Sequence, residues 1–210
     1  MGKYGRNAEG YSDNTAGMAI GRVSREERLE GIMADPKRQI LGRRNRAVGD
    51  IFEKYISASC EYYWKQGYAC IEKTPEPMRA LRPYGDRNTG QFIACYSKQA
   101  QPDFKGALCD GSCIIFDAKH TEKERIQQNV ITETQWMAFD KYEAMGAKCY
   151  VVVSIAMKDF YRVPWGIWKR MKELFGHKYM AAGTELEPYK VPDRNCTVLF
   201  LEGVELRNEN

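Results

Sequence analysis

The stretch QPDFKGALCDGSCIIFDAKH, residues 101–120, constrains the fold more than any other part of the chain. Two apolar runs flank Asp110-Gly111, a dipeptide suited to a tight hairpin turn, so 103–119 is predicted to form two antiparallel strands. Asp103 stands at the foot of the first run, and the second ends in Asp117-Ala118-Lys119. Residues two apart on a strand share a face, so Asp117 and Lys119 point the same way. Register decides whether Asp103 joins them. A strict two-residue turn pairs Cys109 with Ser112 and Phe104 with Asp117, which turns Asp103 away. An odd-length loop, a one-residue bulge or a bend at Pro102-Asp103 brings all three together. Charges that merely guard strand ends are the plainer alternative.

The flanking elements narrow the architecture. Residues 1–20 are rich in Gly, Asn, Ser and Tyr and read as a mobile tail. SREERLEGIM is predicted as a short helix with Ser24 as its cap and Glu27 completing a capping box, stopped by Asp35-Pro36. Lys37, Arg38, Arg43, Arg44 and Arg46 then cluster in KRQILGRRNR, which reads either as a solvated basic linker or as an arm that contacts phosphates. Over 46–66, Val48, Ile51, Phe52, Tyr55, Ile56, Ser59 and Tyr63 recur at helical spacing, with Gly67 placed to end the helix.

YACIEK is a predicted strand stopped by TPEP; a polar stretch with Arg79, Arg82, Gly85 and Arg87 follows, and FIACYS is the next strand. Beyond the hairpin, a helix is predicted over 132–145, capped by Thr132 or Thr134 and closed by Gly146. KCYVVVSIA reads as a buried strand paired with DFYRVP, WGIWKRMKELF as a helix and CTVLFLEG as a late strand. This order predicts an α/β fold, a mixed sheet flanked by helices, with 1–44 as a flexible, partly basic arm and 45–210 as one domain. Tyr62, Tyr63, Trp165 and Trp168 are candidates for an interface, with core packing the commoner fate of such residues.

Composition removes several chemistries. At 210 residues and 43% hydrophobic, the chain can bury one sizeable core. A net charge of +4 suits nucleic acid without demanding it. No apolar run approaches a bilayer span, the longest being strand-sized at 151–156, and no membrane partner is expected. The N-terminus lacks the apolar core of a signal peptide, and seven scattered cysteines suggest reduced thiols, so a cytoplasmic protein is expected. No phosphate-binding GxxxxGK[ST] loop or GxSxG elbow occurs. Only His120 and His177 are present, and Cys109 and Cys113 lack the second pair a zinc knuckle needs.

Hard-ligand chemistry remains. Asp103, Asp117 and the backbone carbonyl of Ala118 offer oxygens to Mg²⁺, with Mn²⁺ as a substitute. Lys119 on the same face would orient a water or offset charge on a scissile phosphate, which makes the set a sensible phosphodiesterase centre. Glu53 lies on the partly apolar helix, either as support for that centre or as a solvated residue.

Pro102-Asp103, a thirteen-residue gap and Asp117-Ala118-Lys119 resemble the PD-(D/E)xK nuclease pattern. Over about 45–172 the chain is similar to the RecU-type Holliday junction resolvases of Gram-positive bacteria and their phages. The ordered series carries the likeness: Asn45-Arg46, Phe52-Glu53, Lys73-Thr74-Pro75-Glu76-Pro77, Tyr96-Ser97-Lys98-Gln99, Asp103-Phe104-Lys105-Gly106, Asp117-Ala118-Lys119-His120-Thr121 and Thr134-Gln135. Asp117 stands where that family has Glu, Gln101-Pro102 where it has Thr-Thr, and Thr134 where it has His.

The resemblance implies a restriction-endonuclease-like core and a bacterial or phage-encoded homodimer that nicks opposed strands of a four-way DNA junction in recombination or repair. A recombinase or branch-migration helicase is the partner class it suggests. Asp103 and Asp117 would bind metal, Lys119 would assist the nucleophile and Glu53 would support the site. Gln135 would stand behind the carboxylates or face DNA. Residues 78–100 would form a stalk entering the junction, with Arg79, Arg82, Arg87 and Lys98 joining the arm cluster as phosphate contacts. The alternatives are a nuclease of the same site on duplex or other branched DNA, and an inactive DNA-binding accessory protein.

Overall fold

The computed structural model describes residues 36–75, 77–85, 90–96, 101–195 and 197–206. The chain divides into two compact units, Met1–Leu41 and Gly42–Asn210, and of the first only 36–41 are described. The predicted helix at Ser24 and Glu27, together with Arg87 and Lys98, lies outside the described residues.

Helix α1 (Pro36–Lys65) begins at Pro36 rather than at Arg46, which corrects the reading of KRQILGRRNR as a linker and of residues 36–44 as part of a flexible arm. A proline breaks a helix that precedes it, but at the first helical position its missing N–H would have had no partner anyway. Lys37, Arg38, Arg43, Arg44 and Arg46 therefore ride on helical turns, and the last three are exposed. At the other end Gly67, with φ +72°, donates to Trp64 O at 3.0 Å, and Tyr68 donates to Tyr63 O at 2.9 Å. That closing pair needs the left-handed backbone glycine tolerates.

Strands β1 (Ala69–Lys73), β2 (Met78–Pro83), β3 (Phe92–Tyr96), β4 (Phe104–Leu108) and β5 (Cys113–Thr121) follow, then β6 (Arg125–Gln127) and helix α2 (Glu133–Ala144). The remainder comprises β7 (Lys148–Ile155), β8 (Asp159–Pro164), α3 (Trp165–Lys169), α4 (Met171–Phe175), β9 (Tyr179–Ala181), β10 (Lys190–Val191), β11 (Asp193–Arg194) and β12 (Thr197–Val198). The main sheet has the order β1-β4-β5-β7-β8-β10, antiparallel except at β5–β7. That one parallel pair needs a crossover, and α2 supplies it.

The sheet buries both faces. Phe52, Ile56, Cys60 and Tyr63 of α1 pack with Phe104, Ile114, Phe116 and Ala118 on one side. Ile115, Val151, Val153 and Val163 pack with Phe139, Trp165 and Trp168 on the other. Tyr63, Trp165 and Trp168 thus belong to the core, while Tyr62 is exposed. Burial on two faces explains why KCYVVVSI is a continuous apolar run. Gly106 in β4 is forced by proximity: it pairs with Ile71, and a Cβ there would stand 2.0 Å from the Cys70 carbonyl oxygen.

Three sequence expectations change. The polar stretch after the TPEP loop is strand β2, which pairs with β3 as a separate two-stranded sheet among the described residues, with a bulge between Ala80 and Arg82. WGIWKRMKELF is two short helices rather than one. The late strand shrinks to Thr197–Val198: Leu199 N–H returns to Pro192 O (2.8 Å), Glu202 N–H to Leu199 O (3.0 Å), and two further donors find side chains. Val198 N–H donates to Ser59 Oγ (2.8 Å) and Leu201 N–H to Tyr63 Oη (2.9 Å). Arg162 Nη1 holds the carbonyls of Phe200 (2.8 Å) and Glu202 (2.9 Å).

Candidate active site

The β4–β5 hairpin has the irregularity that convergence requires. Ala107 pairs with Cys113, Leu108 N–H donates to Ser112 O (2.9 Å) and Gly111 N–H donates back to Leu108 O (2.9 Å), so the loop is Cys109-Asp110-Gly111. Gly111 takes φ +74°, the left-handed step that closes a three-residue hairpin loop. Asp110 Oδ1 braces it by accepting from Ser112 N–H (2.9 Å) and Oγ–H (2.6 Å). With three loop residues, Phe104 pairs with Phe116, and continuing that register sets Asp103 opposite Asp117, on one face. Thr74 N–H fixes the Asp103 backbone from the β1 side at 2.7 Å.

The two carboxylates are held differently. Asp103 Oδ2 accepts from Ala118 N–H at 3.1 Å. Asp117 is fully buried; its Oδ1 accepts from Gln135 Nε2 at 2.5 Å and its Oδ2 meets the ammonium of Lys119. Gln135 is fixed in turn by a capping box at the start of α2. Its N–H donates to Thr132 Oγ1 (3.3 Å), and its Oε1 accepts from Thr132 N–H (3.1 Å). With the amide oxygen engaged there, the NH₂ end must point at Asp117.

Burial drives the electrostatics. Desolvation pushes the Asp117 carboxyl up to about 7, with Lys119 opposing and the Asp103 charge adding to the rise. Asp103 is raised by desolvation as well, against the pull of Lys119. Burial alone would lower the Lys119 ammonium, but Asp117 and Asp103 outweigh it and hold the group above its ordinary value. Lys119 therefore stays charged at neutral pH.

A buried acid and a half-buried one facing it, with one ammonium on the first, fit a hard cation. Asp117 Oδ2 receives no hydrogen bond beyond its ion contact, and the buried Thr74 hydroxyl has no hydrogen-bond partner among the described residues. No group of three His, Cys, Asp or Glu side chains close enough to enclose an ion exists among the described residues. The donor set is thus an open one, of the kind that leaves room for waters and a phosphate.

The structure brings Asp103, Asp117, Lys119 and Gln135 together. Glu53, on α1, has its Oε2 2.5 Å from Lys73 Nζ, and its charge acts on Asp103 and Lys119. Arg46 lies about two turns before Glu53, on the same side of α1. Arg79 and Arg82 are exposed on β2. Lys73 was legible in the sequence only as the start of a loop motif; a cation two residues past a buried strand position (Ile71) gave no signal of its own.

A family model described as recombination protein U matches residues 47–193. The Holliday junction resolvase RecU of Streptococcus oralis is 30% identical over 132 residues, covering 61% of this chain and 66% of that protein. The RecU resolvase of Streptococcus pneumoniae (strain Hungary19A-6) is 29% identical over 119 residues, covering 55% and 60%. The chain thus spans less than two thirds of the length of these curated relatives. Among solved structures, a Holliday junction resolvase of Archaeoglobus fulgidus, Hjc, aligns with 63% of this chain and 88% of its own at 11% identity and a TM-score of 0.37, too loose a match to argue from.

Proposed function

The chain belongs to the recombination protein U family, and from that premise we propose that it is a metal-dependent endonuclease that resolves four-way DNA junctions by paired strand nicks. One observation carries the reading: a three-residue hairpin loop sets Asp103 opposite Asp117, with Lys119 on Asp117 and Gln135 behind it.

Asp103, Asp117 and the carbonyl of Ala118 would hold Mg²⁺, with Mn²⁺ as a substitute. A divalent ion there supplies Lewis-acid stabilisation of charge on a scissile phosphate. The chain's own residues do the rest. Because Lys119 keeps its proton, it serves as a cation that orients the attacking water and offsets developing charge, not as a base. Gln135, locked by Thr132, stops the Asp117 carboxylate from rotating, so that Oδ2 keeps its aim. Glu53 contributes a third negative charge from α1.

Substrate contacts are assigned by charge. Arg43, Arg44 and Arg46 on α1, with Lys37 and Arg38 before them, offer phosphate contacts, and Arg79 and Arg82 do so on the β2–β3 hairpin. Arg87 and Lys98 are part of the same assignment. The hairpin would act as the stalk that occupies the junction centre. Two nicks in one event call for two active centres, so a homodimer is part of the proposal. No described helix is long and apolar enough to cross a membrane.

The test is nicking of an immobile four-way junction against linear duplex of the same sequence, in Mg²⁺, in EDTA and with Asp117→Asn. Symmetric metal-dependent cuts on the junction alone, absent in the variant, are expected. Equal cutting of the duplex would remove the junction assignment, and binding without cutting in Mg²⁺ or Mn²⁺ would remove the enzyme.

A further inference from the structure

The third acid of the site is held where a cation at Asp103 and Asp117 has no use of it. Glu53 Oε2 sits 2.5 Å from Lys73 Nζ, and no trio of acids is grouped closely enough to enclose an ion among the described residues. Lys73 is nonetheless a neighbour of the centre. It is the last residue of β1, paired with Phe104, and the next residue, Thr74, bonds the Asp103 carbonyl. The charges of Glu53 and Lys73 both act on Asp103, in opposite directions, and Glu53 acts on Lys119 too.

Exposure sets the direction of any exchange. The Lys73 side chain is 50% exposed and that of Glu53 27%, whereas Asp117 is sealed. An ion pair half open to water is weakly held and easily traded for another partner. A phosphate arriving from solvent meets Lys73 before it meets Asp117. A site's grip on a hard cation strengthens with the number of charged ligands, so a third carboxylate would change it measurably.

We propose that Lys73 and Glu53 form a latch: the Lys73 ammonium keeps Glu53 off the Asp103–Asp117 pair until a DNA phosphate engages Lys73, and the freed carboxylate then turns to the cation. This rests on reading the pair as a divalent-cation centre. The latch makes cation and DNA binding reciprocal, each tightening the other. It also keeps the centre weakly metallated when no DNA is bound. Lys73 is on this account a positioning residue that acts through Glu53.

The experiment is a titration of the full chain with Mn²⁺ alone, no DNA present, read by loss of the free-ion EPR signal. Four proteins are compared: wild type, Lys73→Met, Lys73→Arg and the double variant Lys73→Met with Glu53→Gln. Lys73→Met should bind Mn²⁺ about fivefold more tightly or better, Lys73→Arg should match wild type, and the double variant should lose the gain. An unchanged or weaker Lys73→Met overturns the latch. A gain that survives in the double variant also overturns it, since general charge removal then accounts for the effect. Wild type binding Mn²⁺ in either case leaves the cation centre standing, whereas no binding by any of the four removes the centre and the latch together.

Discussion

Two of the hairpins, β4–β5 and β2–β3, meet opposite fates. In the β4–β5 hairpin, Phe104, Leu108, Ile114, Ile115 and Phe116 are buried, and two further strands pair with its outer edges. In the β2–β3 hairpin every residue of β2 is exposed, and among the described residues neither strand pairs with a third. One position has a direct analogue: Phe104 opens β4 and is 0% exposed, Phe92 opens β3 and is 61% exposed. Residue type does not separate the two. What does is the presence of flanking strands and of α1, which turn a marginal two-stranded unit into the centre of a core. The buried hairpin can therefore hold two carboxylates rigidly, and the exposed one can only present its groups to something outside.

The comparison breaks most easily at the paired phenylalanines. Phe104→Ala should cost about 3–5 kcal/mol, since Phe104 stacks on Phe116 at 5.0 Å and fills the α1 side of the sheet. Phe92→Ala should cost under about 0.5 kcal/mol. Urea denaturation of both variants checks this, and equal losses would mean that the β2–β3 hairpin is covered by something.

Within the buried hairpin, Asp117→Asn should separate function from stability. Junction nicking should fall by about 10³-fold or more, because the group sits at the reacting centre. The metal-free fold should meanwhile stay folded near pH 7, since Asn can still accept from Gln135 and Asp103 still offsets the Lys119 charge that Asp117 leaves behind. A variant that unfolds would mean that Asp117 is a structural charge first.

How much of this was legible depended on whether the signal was local. The sequence marked a hairpin at Asp110-Gly111 and stated the condition for a site, an odd loop; it could not choose Cys109-Asp110-Gly111 over a two-residue turn, because both satisfy the same dipeptide. The sequence offered Thr132 or Thr134 as the cap, and the structure has Thr132; the consequence, the aim of Gln135 at Asp117, was not readable, since that contact joins a helix to a strand. The helix start at Pro36 went unread because one residue type both stops and starts helices. The late strand failed for a reason distant in sequence: two of its N–H groups go to Ser59 and Tyr63 on α1.

A pH prediction sharpens the buried side. An acid whose folded pKa is raised binds its proton more tightly in the folded state. For Asp117, raised from 3.8 to about 7 chiefly by burial, that contribution is full below about pH 4 and is lost as pH rises through about 7. The chelated protein should thus lose stability over that window, on the order of 4 kcal/mol at most for this group. The Asp117→Asn variant should show a flatter profile. Thermal melts in EDTA at several pH values measure both, and a metal-free protein steadily more stable from pH 4 to 7 would contradict the burial account.

The smallest effect falls on the exposed hairpin, where charge is expected to act without touching the fold. Arg79→Ala with Arg82→Ala should leave the denaturation midpoint within about 0.5 kcal/mol, since both residues are exposed and nothing in the core leans on them. Junction binding should weaken, and the slope of log affinity against log salt should shrink by about 1 per arginine removed. Arg43→Ala with Arg44→Ala on α1 should shrink the slope equally if both sets meet phosphates. If only the α1 pair changes it, DNA passes over the helix and the hairpin meets a different surface, which would also explain why apolar Met78 and Phe92 stand open beside its arginines.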